Sequence, residues 1–330
     1  MNTANQLYSH IKGLSESTTE NRYQVVSLPD KLHKLGVSEE GFPKFFVVTS
    51  DNNMMQNLNA ELLAVEYNVL CNIIEGNEIL DNQYFTIITL RSENEQLQKM
   101  FIDVFLMMLE SLPAKPSNIS IASKIESLLS IFAKLKRQPI HKIQGLWAEL
   151  LLIERSLNPT ILARAWHSSP SSKYDFTLGG DKIEVKSTQG ENRVHHFSLD
   201  QLNPSANSRL IICSAIVRES AQGEKGLSVF DLYDRIQNKI AESEVRIHVS
   251  EVIAETLGSD YFVAEKKYFD YIEACDRLAL YDYIYIPKIQ KDTIPQLVTE
   301  VRFSSDLTNL KDVREKYYNK DNSELFNALY

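Results

Sequence analysis

The stretch "YDFTLGGDKIEVKST", residues 174–188, carries Asp175, Glu184 and Lys186 inside what its composition marks as a β-hairpin. Gly179 and Gly180 make a natural two-residue turn between strand-like runs. That turn sets Leu178 opposite Asp181, Thr177 opposite Lys182, Phe176 opposite Ile183, Asp175 opposite Glu184 and Tyr174 opposite Val185. Side chains alternate along a strand. Tyr174, Phe176, Leu178, Ile183 and Val185 therefore share an inward apolar face, and Asp175, Glu184 and Lys186 share the other. Like charges directly opposed, with Cβ atoms about 4.5–5.5 Å apart, destabilise a sheet, so something positive must offset them. Lys186 is one candidate and a divalent cation is the other. Two carboxylates, a backbone carbonyl and water form a hard oxygen site of the kind magnesium accepts. The polar side of an ordinary surface hairpin fits the same residues.

Glu149 bears on that choice. It lies in "LWAELLLI", where seven of eight residues are apolar. A helix apolar nearly all round is buried, and a buried carboxylate is paired, protonated or metal-bound. Glu149 therefore needs a partner, which the polar face of the hairpin can supply. A rim position reaching solvent is the alternative.

Helices and strands must bring these groups together. "NISIASKIESLLSIFAKLKRQ" has helical spacing at Ile121, Ile125, Leu128, Leu129 and Phe132, with Ser117 or Ser120 as its cap. A second helix, "IHKIQGLWAELLLIERSL", carries Glu149 and ends before Pro159. "ILARAWHS" reads as a strand, and "SRLIICSAIVRE" as a buried one. "FSLDQL" has Ser198 and Gln201 at capping-box spacing, which predicts a single helical turn. Beyond it "SVFDLYDRIQNKI" is helical, while "ALYDYIYIPKI" and "LVTEVRFSS" are strand-like. The tail "NKDNSELFNALY" is polar until its last residues and reads as loosely held.

Residues 1–112 read as a separate α+β unit. "RYQVVSL" and "KFFVVTS" are strands, "ELLAVEYNVLCNII" and "QYFTIITL" pair across "EGNEILDN", and "NEQLQKMFIDVFLMMLESL" is a helix. "PAKPS" breaks the chain there, and the second domain runs over 117–330.

The bulk properties narrow the function. With 330 residues, 43% apolar and 24% charged, the chain has material for a real core. No apolar run approaches the roughly 18 residues that span a bilayer, and the N-terminus shows no secretory pattern. Cys71, Cys213 and Cys275 are few and far apart, so neither a disulfide framework nor a zinc site is indicated. A reducing cytoplasm and no membrane partner are expected. The net charge of −9 argues against broad nucleic-acid affinity. Residues 134–210, however, hold eleven Lys or Arg against seven Asp or Glu, a balance of +4, which leaves −13 for the rest. One locally basic site for a polyanion is compatible with that. No phosphate-cradling loop, His-Glu-x-x-His, Gly-x-Ser-x-Gly or Gly-x-Gly-x-x-Gly motif occurs.

Helix Glu149, strand Asp175 and the following Glu184-x-Lys186 strand resemble the PD-(D/E)XK nuclease superfamily. The phrases "GLWAELLLIE", "YDF" and "IEVKST" are similar, more closely, to a small bacterial family of PD-(D/E)XK-motif proteins of unknown function associated with restriction and phage-defence loci. The likeness is strongest over residues 143–219. One departure is that Tyr174 stands where the motif has proline. The resemblance implies an α/β fold with a restriction-endonuclease-like core, a mixed central sheet flanked by helices in αβββαβ order, plus the added N-terminal α+β domain. It implies that Asp175 and Glu184 hold Mg2+, with Mn2+ as a substitute, that Glu149 assists directly or through water, and that Lys186 orients the attacking water and stabilises negative charge. The implied activity is endonucleolytic hydrolysis of DNA in a restriction or defence system. An ATPase or methyltransferase would be a fitting partner protein, and a homodimer is compatible. The rival is a non-cleaving DNA-binding or assembly module on the same fold.

Neighbouring residues carry weaker expectations. Ser187 and Thr188 end a strand or touch phosphate. Gln201 caps a helical turn or reaches the site. His195 and His196 are solvated, and Trp147 and Trp166 belong to the core. Lys142, Lys173, Lys182 and Arg193 are surface cations within reach of a DNA backbone.

Overall fold

The structure is a computed structural model that describes residues 4–14, 22–51, 55–169, 172–223, 225–314 and 323–329. The chain divides into two compact units, Met1–Ala133 and Lys134–Tyr330.

The first unit opens with helix α1 (Ala4–Lys12) and builds a sheet from β1 (Arg22–Ser27), β2 (Lys34–Val37), β3 (Pro43–Val47), β4 (Leu58–Asn59), β5 (Leu63–Glu75) and β6 (Glu78–Leu90). The strand order is β1-β2-β3-β6-β5-β4, and β1 also pairs in parallel with β5, so the sheet curls back on itself. Val25, Phe46, Cys71, Ile73, Phe85 and Ile87 form one core. Helix α2 (Glu95–Glu110) sets Phe101 and Phe105 against Phe45. The β5–β6 hairpin is longer than its sequence suggests. Gly76, at φ +58°, permits a tight turn, so "EILDN" extends β6 instead of forming a loop. Helix α3 (Asn118–Lys134) also belongs here, not at the start of the second domain. Its Asn118 is fully buried and bonds Thr86 Oγ1 at 2.6 Å and the Asp51 side chain.

The second unit begins with α4 (Ile143–Arg155) and α5 (Pro159–Ala165). Strands β7 (Phe176–Leu178), β8 (Asp181–Thr188) and β9 (Val194–Ser198) follow, then the one-turn helix α6 (Leu199–Leu202) and β10 (Arg209–Ile216). Short strands β11 (Glu219–Ser220) and β12 (Gly226–Leu227) lead to α7 (Val229–Lys239), α8 (Ser243–Leu257), α9 (Tyr261–Ala264), β13 (Tyr268–Asp270), α10 (Tyr271–Asp276), β14 (Ala279–Asp282) and β15 (Arg302–Asp306). The central mixed sheet runs β14-β10-β8-β7. Strand β8 is parallel to β10, and β7 and β14 are antiparallel additions. Strand β9 pairs with β15 in a separate two-stranded ribbon.

Three local expectations need correction. "ILARAWHS" is largely helix, because Asn158 caps Ile161 N–H and Pro159 occupies the first turn. Of the tail, residues 319–322 and 330 lie outside the described residues, but Glu324–Asn327 is a helical turn with Leu325 and Phe326 buried. Tyr174 does not share the face of Phe176. It packs with Leu210 and Ile212, the register partners of Lys182 and Glu184, because the chain is no longer extended before Phe176.

Candidate functional site

The hairpin has the register its Gly-Gly turn dictates: Phe176 opposite Ile183, Thr177 opposite Lys182 and Leu178 opposite Asp181. The first turn glycine alone has positive φ, at +58°, the pattern of a type II′ turn. Asp175 sits just outside β7. Its Oδ2 accepts the Val185 N–H at 2.6 Å, so the carboxylate takes the place of a ladder bond. It is thereby fixed against the strand that carries Glu184 and Lys186.

Glu184 is only 3% exposed. Its Oε1 accepts from Lys186 Nζ at 2.6 Å and from Gln201 Nε2 at 2.5 Å. Its Oε2 is buried with no hydrogen-bond partner. Burial raises the Glu184 pKa, against the opposing pull of Lys186. Asp175 is pushed well above the usual carboxylate range by burial first, then by Glu184 and Glu149. A cluster of acids held this close prefers either protons or a cation.

Glu149 projects from α4 into the same space and is 5% exposed. Its Oε2 accepts from Trp166 Nε1 at 2.8 Å and lies 3.0 Å from His167 Nε2. Among the described residues, Glu149, His167 and Asp175 each offer a ligand atom, and these atoms all lie within 4.8 Å of one another. The buried, unsatisfied Glu184 oxygen and the hard carboxylate donors fit a divalent cation. Glu184 is not part of that three-residue group, but its charge acts on both Asp175 and Glu149, and Lys186 pairs with it from the same strand.

The neighbours sort differently. Gln201 does both things expected of it: it closes a capping box with Ser198 and donates to Glu184. Trp147 is core, with its indole N–H on the Leu227 carbonyl. Trp166 is equally buried, yet its N–H holds Glu149. His195 is not solvated. It is buried against Ser214, and burial drives its pKa down to about 4. His196 is exposed and bonds Ser304. Arg193 is unavailable to DNA because its guanidinium binds Ser214 and the Arg277 carbonyl. Lys173 pairs with Asp200 at 3.8 Å, and Lys182 lies over the Tyr174 ring. Ser187 bonds Gln144 on α4. His167 carries no spacing signature in the sequence. The one cue was Asn158-Pro159, which starts the helix that delivers it.

A family model described as "Putative PD-(D/E)XK family member, (DUF4420)" matches residues 7–308, nearly the whole chain. No curated protein and no solved structure matches the chain. No helix among the described residues is long and apolar enough to cross a membrane.

Proposed function

The chain belongs to the DUF4420 family of PD-(D/E)XK proteins, and on that premise we propose that it is a divalent-metal-dependent endonuclease acting on DNA within a bacterial restriction or phage-defence system. Asp175 and Glu184 hold the cation, Glu149 completes the set, and Lys186 acts on the phosphate and its attacking water. The resemblance implies Mg2+, with Mn2+ as a substitute. The run α4, α5, β7, β8, β9, α6, β10 supports the αβββαβ order of a restriction-endonuclease-like core, with α5 as an added helix and β9 displaced into its own ribbon.

One observation carries this reading: a buried carboxylate oxygen, Glu184 Oε2, has no hydrogen-bond partner although Asp175 and Glu149 are close enough for their charges to act on Glu184. An unpaired buried oxygen is costly, and a cation removes that cost. When bound, the cation polarises the phosphate and lowers the pKa of its water. Lys186, with its side chain 19% exposed, keeps its ammonium 2.6 Å from Glu184 and near Gln201 Oε1 at 3.5 Å. It can stabilise developing negative charge without leaving that position. Trp166 fixes Glu149 from behind. The choice of DNA follows from the family.

The test is supercoiled plasmid with magnesium or manganese, using the wild type beside Lys186→Ala and Asp175→Ala. Nicking by the wild type and by neither variant is expected. Equal nicking by all three sinks the assignment, and metal binding without cleavage in the presence of partner proteins favours the non-cleaving module.

A further inference from the structure

His167 stands in the candidate site by an unusual route. Its backbone has φ +42°, a left-handed conformation that L side chains rarely adopt. Such strain persists only where the surroundings over-determine it, and they do so here. The His167 N–H donates to the Asp175 carbonyl at 2.8 Å. The preceding Trp166 carbonyl lies 2.8 Å from His248 Nε2, and Trp166 bridges to Phe176. The His141 ring lies nearly parallel to that of His167, with centroids 6.4 Å apart. The strained turn thus delivers one imidazole to Glu149 and Asp175.

We infer that His167 is a ligand of the divalent cation, giving the site a mixed imidazole and carboxylate donor set that favours manganese and later transition ions over magnesium. This rests on the metal-site reading above. The spacing fits. With bonds of about 2.1 Å in an octahedral site, neighbouring ligand atoms lie about 3.0 Å apart. His167 Nε2 and Glu149 Oε2 are 3.0 Å apart, and Asp175 offers a ligand atom within 4.8 Å of one on each of these residues. A role limited to orienting Glu149 would duplicate Trp166, whose N–H already holds the same oxygen. Imidazole suits transition ions, whereas magnesium prefers oxygen and water.

The test loads the full chain with Mn2+ and records electron spin echo envelope modulation. Directly bound imidazole nitrogen should appear in the wild type and vanish in His167→Asn, chosen because Asn tolerates the left-handed backbone. Calorimetry should show the preference for Mn2+ over Mg2+ falling about tenfold or more in that variant, no less than outer-shell changes cause. Stoichiometric Mn2+ without a nitrogen signal in the wild type overturns the proposal and leaves the oxygen site standing. So does a signal that persists in His167→Asn. Absence of any Mn2+ binding overturns both this proposal and the reading beneath it. The wild-type spectrum decides even if the variant folds poorly.

Discussion

Asp175 and Glu184 hold their protons more tightly in the fold than in an unfolded chain, chiefly because they are buried. For a raised carboxyl pKa, the stabilising contribution is complete below the ordinary carboxylate range. It is lost as pH rises through the raised value. In a chelator the pair therefore weighs against the fold at about pH 8 and much less at about pH 5. Asp175→Asn separates charge from geometry, since the amide oxygen can still accept the Val185 N–H. In chelator at about pH 8 the variant should be more stable than the wild type by roughly 0.5–2 kcal/mol, the usual gain from relaxing a functional site. The gain should shrink toward about pH 5, and excess Mn2+ should stabilise only the wild type. Thermal unfolding at both pH values checks this, and a variant less stable than the wild type at about pH 8 in chelator would refute it. These acids were legible in the sequence because a Gly-Gly turn sets the hairpin register. His167 was not, because a lone histidine after a helix has no pattern until backbone strain and distance reveal its direction.

The β7–β8 hairpin places Glu184 beside β10, and its turn is where that placement is fixed. A Cβ on Gly180 would lie 2.9 Å from the Asn207 carbonyl oxygen, while the Gly180 carbonyl accepts the Arg209 N–H at 3.0 Å. Gly179 needs only its left-handed φ, with open space around a Cβ. Gly180→Ala should therefore cost about 1–3 kcal/mol, as overpacking does, and weaken metal binding by tilting β8. Gly179→Asn should cost far less, since Asn adopts that conformation readily. Denaturant midpoints of the two variants decide it, and equal effects would mean that the close approach does not hold the hairpin. The same contrast marks where the sequence could be read. Strand β10 is apolar from Leu210 to Ile216 except for Ser214, and α6 announces itself by its Ser198–Gln201 box, so both are recognisable. Helix α5 was misread because its apolar residues suit a strand equally well, and only the Asn-Pro start decides. The pairing of β9 with β15 joins segments more than a hundred residues apart, which no local pattern encodes.

Charge across the chain limits how such a site can meet DNA. The segment 134–210 looks basic in the sequence, but, besides Lys173, five of its eleven cations are engaged by the chain itself. Lys134 pairs with Glu255, Arg164 with Glu242, Lys186 with Glu184 and Arg209 with Asp181, while Arg193 is committed to backbone and hydroxyl oxygens. Arg137 and Lys142 form no ion pair among the described residues. The net charge is −9. Few phosphates can then be neutralised by this chain alone. Each neutralised phosphate adds about −0.9 to the slope of log K against log salt. Fluorescence anisotropy on a short duplex should give a shallow slope of about −2 to −3, with weak binding at physiological ionic strength. A fitting partner protein should steepen that slope by bringing its own cations. A slope near the −6 to −9 expected for many phosphate contacts, measured on the chain by itself, would show that the ion pairs rearrange on DNA and that no partner is needed for grip.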